Sequence, residues 1–352
     1  MKKRGILTAL ITLFAALACI LLIMDSEGMI SAVHKSVVVC LDVIIPSLFA
    51  FMVFSQLLVC SGAADILFYP FYKFSRFWFR EGRREFGIFM LSLIGGYPVG
   101  VKLLREQITC NGNYTSTAEK MLCYCYCGSP TFIIQIAGLS VLGSSKAGLM
   151  VYISNVLACL TLAVTINLFS KKRTASESVS LPHAKITLEN VTESINSTVR
   201  ALGVICGTIL AFNVLSELLS YSGFLTVLEA IGMDKTFRAV LEISNLSLFQ
   251  GCGYDLMPLF AAITSFGGFC IILQTAALSQ GKINLKKFML CRIPAALLSA
   301  VYCFALINVF PIVLETEAAA RPIPILSSVN PICSVCLIVM TFILLKSCKK
   351  TA

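Results

Sequence analysis

Ala50-Phe-Met-Val-Phe-Ser-Gln-Leu-Leu-Val-Cys-Ser-Gly62 returns later in the chain as Ala211-Phe-Asn-Val-Leu-Ser-Glu-Leu-Leu-Ser-Tyr-Ser-Gly223. Eight of these thirteen positions are identical, and Gln56 aligns with Glu217. Each copy closes a long apolar run. Weaker echoes follow in the same order. Leu91-Ser-Leu93 with Gly96 matches Leu246-Ser-Leu248 with Gly251, and Ile166-Asn-Leu-Phe169 matches Ile307-Asn-Val-Phe310. The spacing between echoes changes, which marks an old duplication with loop insertions and excludes a short solenoid repeat. A duplicated apolar unit is the mark of many transporter folds.

Composition places that unit in a membrane. The 352 residues are 57% hydrophobic and 13% charged, against about 25% charged in soluble domains. Several apolar runs reach the roughly 20 residues needed to cross hydrocarbon. The alternating pattern of a β-barrel is absent. The expected fold is an all-α polytopic membrane protein.

The net charge of +10 is a matter of orientation. The basic residues lie in short loops, and no basic, aromatic-laced soluble domain supports binding of nucleic acid. Full spans are expected near 5–24, 37–60, 118–138, 147–169, 199–221, 255–279, 288–310 and 331–346. Two further runs, 86–104 and 239–254, hold Gly95-Gly-Tyr-Pro-Val-Gly100 and Gln250-Gly-Cys-Gly253. Such breakers free backbone groups, which is tolerated at membrane depth only inside protein or beside a wet cavity. Both read as re-entrant hairpins or broken helices. With the N-terminus inside, 21 of the 28 Lys and Arg fall in inner loops and five in outer loops. A full crossing by either breaker segment would destroy that bias. The run 37–60 then points inward and its echo 199–221 outward. The expected architecture is an inverted repeat of helix, re-entrant hairpin, broken helix and helix, with eight full spans and two re-entrant segments.

The chain divides on this reading into an N-terminal helix and outer loop (1–35), a first repeat (36–170), a polar cytoplasmic linker (171–198), a second, inverted repeat (199–310), and an outer loop with a C-terminal helix (311–352). Met1-Lys-Lys-Arg4 before an apolar run has the outline of a signal peptide, but the run is long and lacks a small-residue cleavage site, so it reads as an uncleaved first helix. The segment 61–85, with the single Trp78, suits a helix in the inner headgroup layer.

The functional candidates are the breakers and the intramembrane polar groups. In Gly95-Gly96-Tyr97-Pro98-x-Gly100 the glycines permit close approach and Pro98 has no N–H to offer. Exposed amides or carbonyls there could hold a polar ligand; the alternative is a packing kink. Ser129, Thr131 and Gln135 supply hydroxyl and amide groups beside the next break. Its counterpart Ser265-Phe-Gly-Gly-Phe269 leads to Gln274. Small residues also serve tight helix packing. Glu242 opens Glu242-Ile-Ser244-Asn245; ionisable groups inside apolar runs are costly and are site candidates by default. Asp42 reads as a solvated helix end, and Arg292 as a side chain snorkelling inward.

Most of the 16 Cys lie in apolar runs and pack as small hydrophobes, not as a secreted disulfide framework. Cys123-x-Cys125-x-Cys127 and Cys333-x-x-Cys336 lack the converging ligands of a metal site, and His34 and His183 have no ligand spacing. No cofactor and no metal is called for. No H-E-x-x-H, G-x-S-x-G or Walker motif occurs, so neither an enzyme nor an ATP-driven pump is expected.

Ile45-Pro-Ser-Leu-Phe-Ala-Phe51, Gly96-Tyr-Pro-x-Gly100, Ser129-Pro-x-Phe132, Leu241-Glu-Ile-Ser-Asn245, Ser265-Phe-Gly-Gly-Phe269 with Gln274, and Arg292-Ile-Pro together resemble the YlbJ group of sporulation integral membrane proteins. Those proteins carry the Gate, or nucleoside recognition, domain, related to concentrative nucleoside transporters. The resemblance covers about 35–310. It implies a bacterial inner-membrane protein of the Firmicutes type, linked to spore formation, with a transporter-like fold of duplicated hairpins. Cys127 and Gly128 depart from the polar residues expected before the Pro-x-Phe element. The expected function is a secondary transporter or permease for a small polar solute, nucleoside-like or another metabolite, coupled to H+ or Na+. The alternative is a non-transporting scaffold for sporulation or envelope assembly. The lipid bilayer is a partner on either reading, and a homo-oligomer is compatible with both.

The charge split puts both termini, 73–84 and the 171–198 linker in the cytoplasm. A cysteine placed at Ser176 should resist an impermeant thiol reagent added outside intact cells and react after permeabilisation. Labelling from outside would overturn this topology and the inversion of the repeat with it.

Overall fold

A computed structural model describes residues 24–71, 82–110, 112–170 and 187–310. The expected spans at 5–24 (but for Met24) and 331–346, Cys333-x-x-Cys336 and most of the linker lie outside the described residues. Those described are helical, with no strand among them.

The first long helix, α1 (Ser26–Cys60), starts well before the expected 37. Its middle, Cys40–Ile44, widens into a π-turn in which Ile45 N–H donates to Cys40 O. Pro46 explains this locally, because it has no N–H for the carbonyl four residues back and its ring crowds that group. Asp42 sits in this turn, exposed, and is a mid-helix group, not the helix end expected. The echo helix, α8 (Leu188–Tyr221), also starts earlier than expected. Thr187 caps it by accepting from Asn190 N at 3.2 Å, with Glu189 in the first turn, and Ser194 and Thr198 are buried. The polar end of the linker is therefore helix, and the expected boundaries at 35/36 and 198/199 fall inside continuous helices. At 35 and 34 residues, α1 and α8 are each about 50 Å long, longer than the hydrocarbon layer.

The echoed residues build the same turn twice. After α1, Ser61 is helical and Gly62 lies at φ 78°, ψ 1°; after α8, Ser222 is helical and Gly223 lies at φ 77°, ψ −1°. Short helices α2 (Ala63–Leu67) and α9 (Phe224–Glu229) follow. The two long helices pack on one another. Asn213 Nδ2 donates to Ser36 Oγ at 2.9 Å, and the thiols of Cys40 and Cys206 are hydrogen-bonded. Contacts that advance along α1 retreat along α8, so the echo helices run antiparallel.

A hairpin follows each long helix. α3 (Arg83–Gly95) and α4 (Tyr97–Cys110) pack together about Gly96, whose φ of 89° and ψ of −176° suit only glycine. In the second half, α10 (Asp234–Leu241) ends at Glu242, and the chain folds back as 3-10 helix over Ile243–Phe249. The first hairpin bends at Gly96, inside its expected breaker; the second bends at Glu242, ahead of the expected breaker Gln250-Gly-Cys-Gly253, and its return arm is 3-10 helix.

The broken spans follow. α5 (Thr115–Leu122) stops, and 123–129 is buried without helical structure before α6 (Pro130–Val141). The break thus begins at Cys123, four residues before the expected place. α11 (Met257–Phe266) is interrupted by Gly267 at φ 90° before α12 (Gly268–Ser279). α7 (Ser145–Phe169) and α13 (Lys286–Val309) close the halves, and α7, α11 and α13 pack together. Five helices among the described residues, α1, α7, α8, the interrupted α11–α12 and α13, are long and apolar enough to cross a membrane.

Gly100 is where α4 meets the unwound stretch. A Cβ there would collide with the Cys125 carbonyl. Gly100→Ala should therefore destabilise the detergent-purified protein by about 1–3 kcal/mol, read as a lower melting temperature. Gly112→Ala, with nothing within 4 Å of its Cβ, should leave it unchanged. Equal stability of the two variants would refute the close approach.

Candidate functional site

The bends and breaks converge. A cavity of about 50 Å³ is lined by Gly95, Gly96, Tyr97 and Pro98 from the first hairpin, Ser129 and Phe132 from the first broken span, Glu242 and Ser244 from the second hairpin, and Gln274 from α12. α1 contributes Ser47 and α8 contributes Ile205. Ser129, Glu242 and Ser244 reach it through local breaks. Ser129 is extended and caps α6, its hydroxyl accepting from Phe132 N at 3.3 Å. Glu242 is extended, and its carboxylate accepts from Ser244 N at 2.9 Å and from the Ser244 hydroxyl. It is 3% exposed. Gln274 is equally buried and donates to Cys270 Sγ at 3.4 Å. The Tyr97 hydroxyl donates to the Thr264 carbonyl of α11. The volume admits a few water molecules. It is well below the 300 Å³ or so of a typical small-molecule pocket.

Four expected residues lie elsewhere. Gly100 packs on Cys125. Thr131 and Gln135 are exposed. The buried face of α6 is set by Ile133, Ala137, Gly138 and Val141, and Thr131 and Gln135 lie off it. Asn245 holds the second bend, its Nδ2 donating to Arg238 O at 3.2 Å, and faces a second cavity. That cavity measures about 780 Å³ and is lined by Gly28–Ser36 positions of α1, by Asn213, Ser216 and Glu217 of α8, and by Arg238 and Asn245. His34 and Lys35 add charge-bearing groups. Arg238 donates to Ser220 Oγ at 3.0 Å and to Ser216 Oγ at 3.5 Å. Val39 and Ser244 line both cavities, so the larger one adjoins the smaller beside Glu242.

Two basic residues differ from expectation. Arg292 does not snorkel. It is 1% exposed, its guanidinium donating to the carbonyls of Cys123 and Ser265, and it makes no ion pair with Glu242. Lys102, one of the 21 basic residues expected in inner loops, is buried on α4, and its ammonium donates to Thr198 Oγ1 of α8 at 2.6 Å. Beside it Arg105 contacts Glu106 and reaches Ser197 at 3.4 Å. A further polar knot was not anticipated. Asn155 donates to Thr264 Oγ1 at 2.9 Å and accepts from Ser299. Its signal was present, since an amide inside a 25-residue apolar helix is costly unless paired. The Cys-rich stretch packs by thiol pairs: Cys123 hydrogen-bonds to Cys291 and Cys127 to Cys159.

Over 303 residues the chain is 22% identical to the sporulation integral membrane protein YlbJ of Bacillus subtilis (strain 168), an alignment that covers 75% of this chain and 74% of the relative. No family model and no solved structure matches it. The chain is thus similar to a sporulation integral membrane protein, and among its described residues five helices are long and apolar enough to cross a membrane.

Proposed function

We propose that the chain is a secondary transporter or permease for a small polar solute, set in a bacterial cytoplasmic membrane with both termini inside, and that it serves sporulation as the name of its relative suggests. Its halves are inverted repeats of the Gate type, with eight full spans and two re-entrant segments. The antiparallel packing of α1 on α8, whose ends carry the echoed sequence, supports the inversion. The observation that carries transport is the meeting of both hairpins and both broken spans at one cavity that keeps a buried carboxylate, Glu242. Inverted-repeat transporters place their sites between such discontinuous segments, and an ionisable group is costly to keep there without a role.

The larger cavity gives the solute an approach. It is flanked by Lys35 and Arg238, residues that the charge pattern puts on the outer side. Inward of Glu242, the Lys102–Thr198 and Arg105–Ser197 contacts tie α4 to α8. This arrangement suits a state open outward and closed inward. The small cavity would hold water or a coupling ion, H+ or Na+, in this state, and would widen when the hairpins move. A non-transporting scaffold is favoured by one observation: the lining is mainly apolar, with Ile205, Ile209, Ile271, Leu48 and Phe132.

Glu242→Gln separates the two. The carboxylate caps the 3-10 turn, and an amide keeps part of that role, so the cost should be about 1 kcal/mol or less. Membrane abundance should stay near wild type while uptake, or the sporulation phenotype and metabolite content of cells carrying the variant, is lost. Normal activity at normal abundance would remove Glu242 from the path and favour the scaffold.

A further inference from the structure

Arg292 lies in the second turn of α13 and has no carboxylate within ion-pair distance among the described residues. What it meets is the ends of two half-helices. Nη2 donates to the carbonyl of Cys123, the C-terminal cap of α5. Nη1 lies 3.5 Å from the carbonyl of Ser265, in the last turn of α11 before Gly267 breaks the helix. Helix C-termini carry a partial negative charge, about half a unit each, on carbonyls without an intrahelical donor. The guanidinium carbon stands 4.5 Å from the centre of the Tyr126 ring and 4.8 Å from that of Phe288, and aromatic faces also attract cations. Every neighbour therefore offers negative potential without formal charge. Nε finds no hydrogen-bond partner, so the pocket is matched to the charge more than to the full set of donors.

Where broken helices end inside a membrane protein, their carbonyl ends commonly hold a mobile cation. We infer that Arg292 is the resident cation of this crossing: the two broken spans form a cation site, and the chain fills it with its own side chain, leaving no place there for a sodium ion. The site holds together the two discontinuities, 123–129 and Gly267, that the cavity depends on. It does so whether or not the chain moves a solute, so the inference stands apart from the transport reading.

The test compares charge with packing. Buried ion groups can often be replaced by apolar residues of similar volume without loss. If charge is what the site needs, Arg292→Lys should be more abundant in membranes and melt higher in detergent than Arg292→Gln or Arg292→Met. In Arg292→Ala, millimolar guanidinium chloride should raise the melting temperature saturably, by about 3–5 °C, while wild type does not respond and urea at the same concentration has no effect. Arg292→Met equal to or above Arg292→Lys would overturn the inference. That comparison reads out from membrane abundance even if the alanine variant does not fold. An equal response of Arg292→Ala to urea and guanidinium would also overturn it.

Discussion

Backbone groups released at membrane depth have no water to turn to, and the whole arrangement depends on how they are satisfied from within. The chain is interrupted at Gly96, over 123–129, at Glu242 and at Gly267. Carbonyls beside each interruption are served by side chains from other elements, that of Leu93 before Gly96 by the Tyr152 hydroxyl at 3.2 Å. Tyr97 serves the Thr264 carbonyl, Arg292 serves Cys123 and Ser265, and Cys159 serves Tyr126 at 3.4 Å. Asn245 serves Arg238 across the second bend. Tyr97–Thr264 and Arg292–Cys123 join opposite halves of the chain, so neither half keeps its breaks unaided. That mutual dependence fits 24–310 lying within one compact unit.

The same interruptions create the polar interior. A continuous helix in an apolar environment buries its backbone and offers only side chains. A broken one offers caps and carbonyls, and Ser129 and Glu242 reach the cavity because each sits in extended backbone at the start of a helical turn. The two cavities differ in kind. The one at Glu242 is small and mostly apolar; the one beside it is large and carries His34, Lys35, Glu217 and Arg238. Ser244 and Val39 stand between them. A solute-sized space at Glu242 would require the hairpins to shift, and hairpins hinged at single residues are suited to that.

Much of this was legible in residue order. The repeated Ser-Gly after each long helix sets the same left-handed turn twice, because only glycine adopts that conformation without cost. Gly96 is marked by breaker composition and Glu242 by its charge inside an apolar run, and eight of the residues singled out, from Gly95 to Gln274, line one cavity. The misses share a cause. Thr131 and Gln135 lie on α6 off the face that Ile133, Ala137 and Gly138 bury, and which face of an apolar helix packs depends on distant neighbours. The starts of α1 and α8 were placed too late because polar first turns look like loop until their caps and buried faces are seen. Arg292 and Lys102 were read as surface charges, since nothing local distinguishes a snorkelling cation from one enclosed by distant carbonyls or hydroxyls.

Sequence alone determined what depends on local chemistry and on solvent: apolar length, charge asymmetry, turn residues and the duplication. These are properties of a segment in its medium, so they survive without knowledge of neighbours. Tertiary structure decided which of the freed groups meet. Tyr97 and Thr264 are 167 residues apart, and Arg292 and Cys123 are 169 apart; no local rule couples positions so distant. Their meeting follows from packing α7, α11 and α13 against the unwound stretch, where the cost of an unpaired buried polar group selects one partner for each.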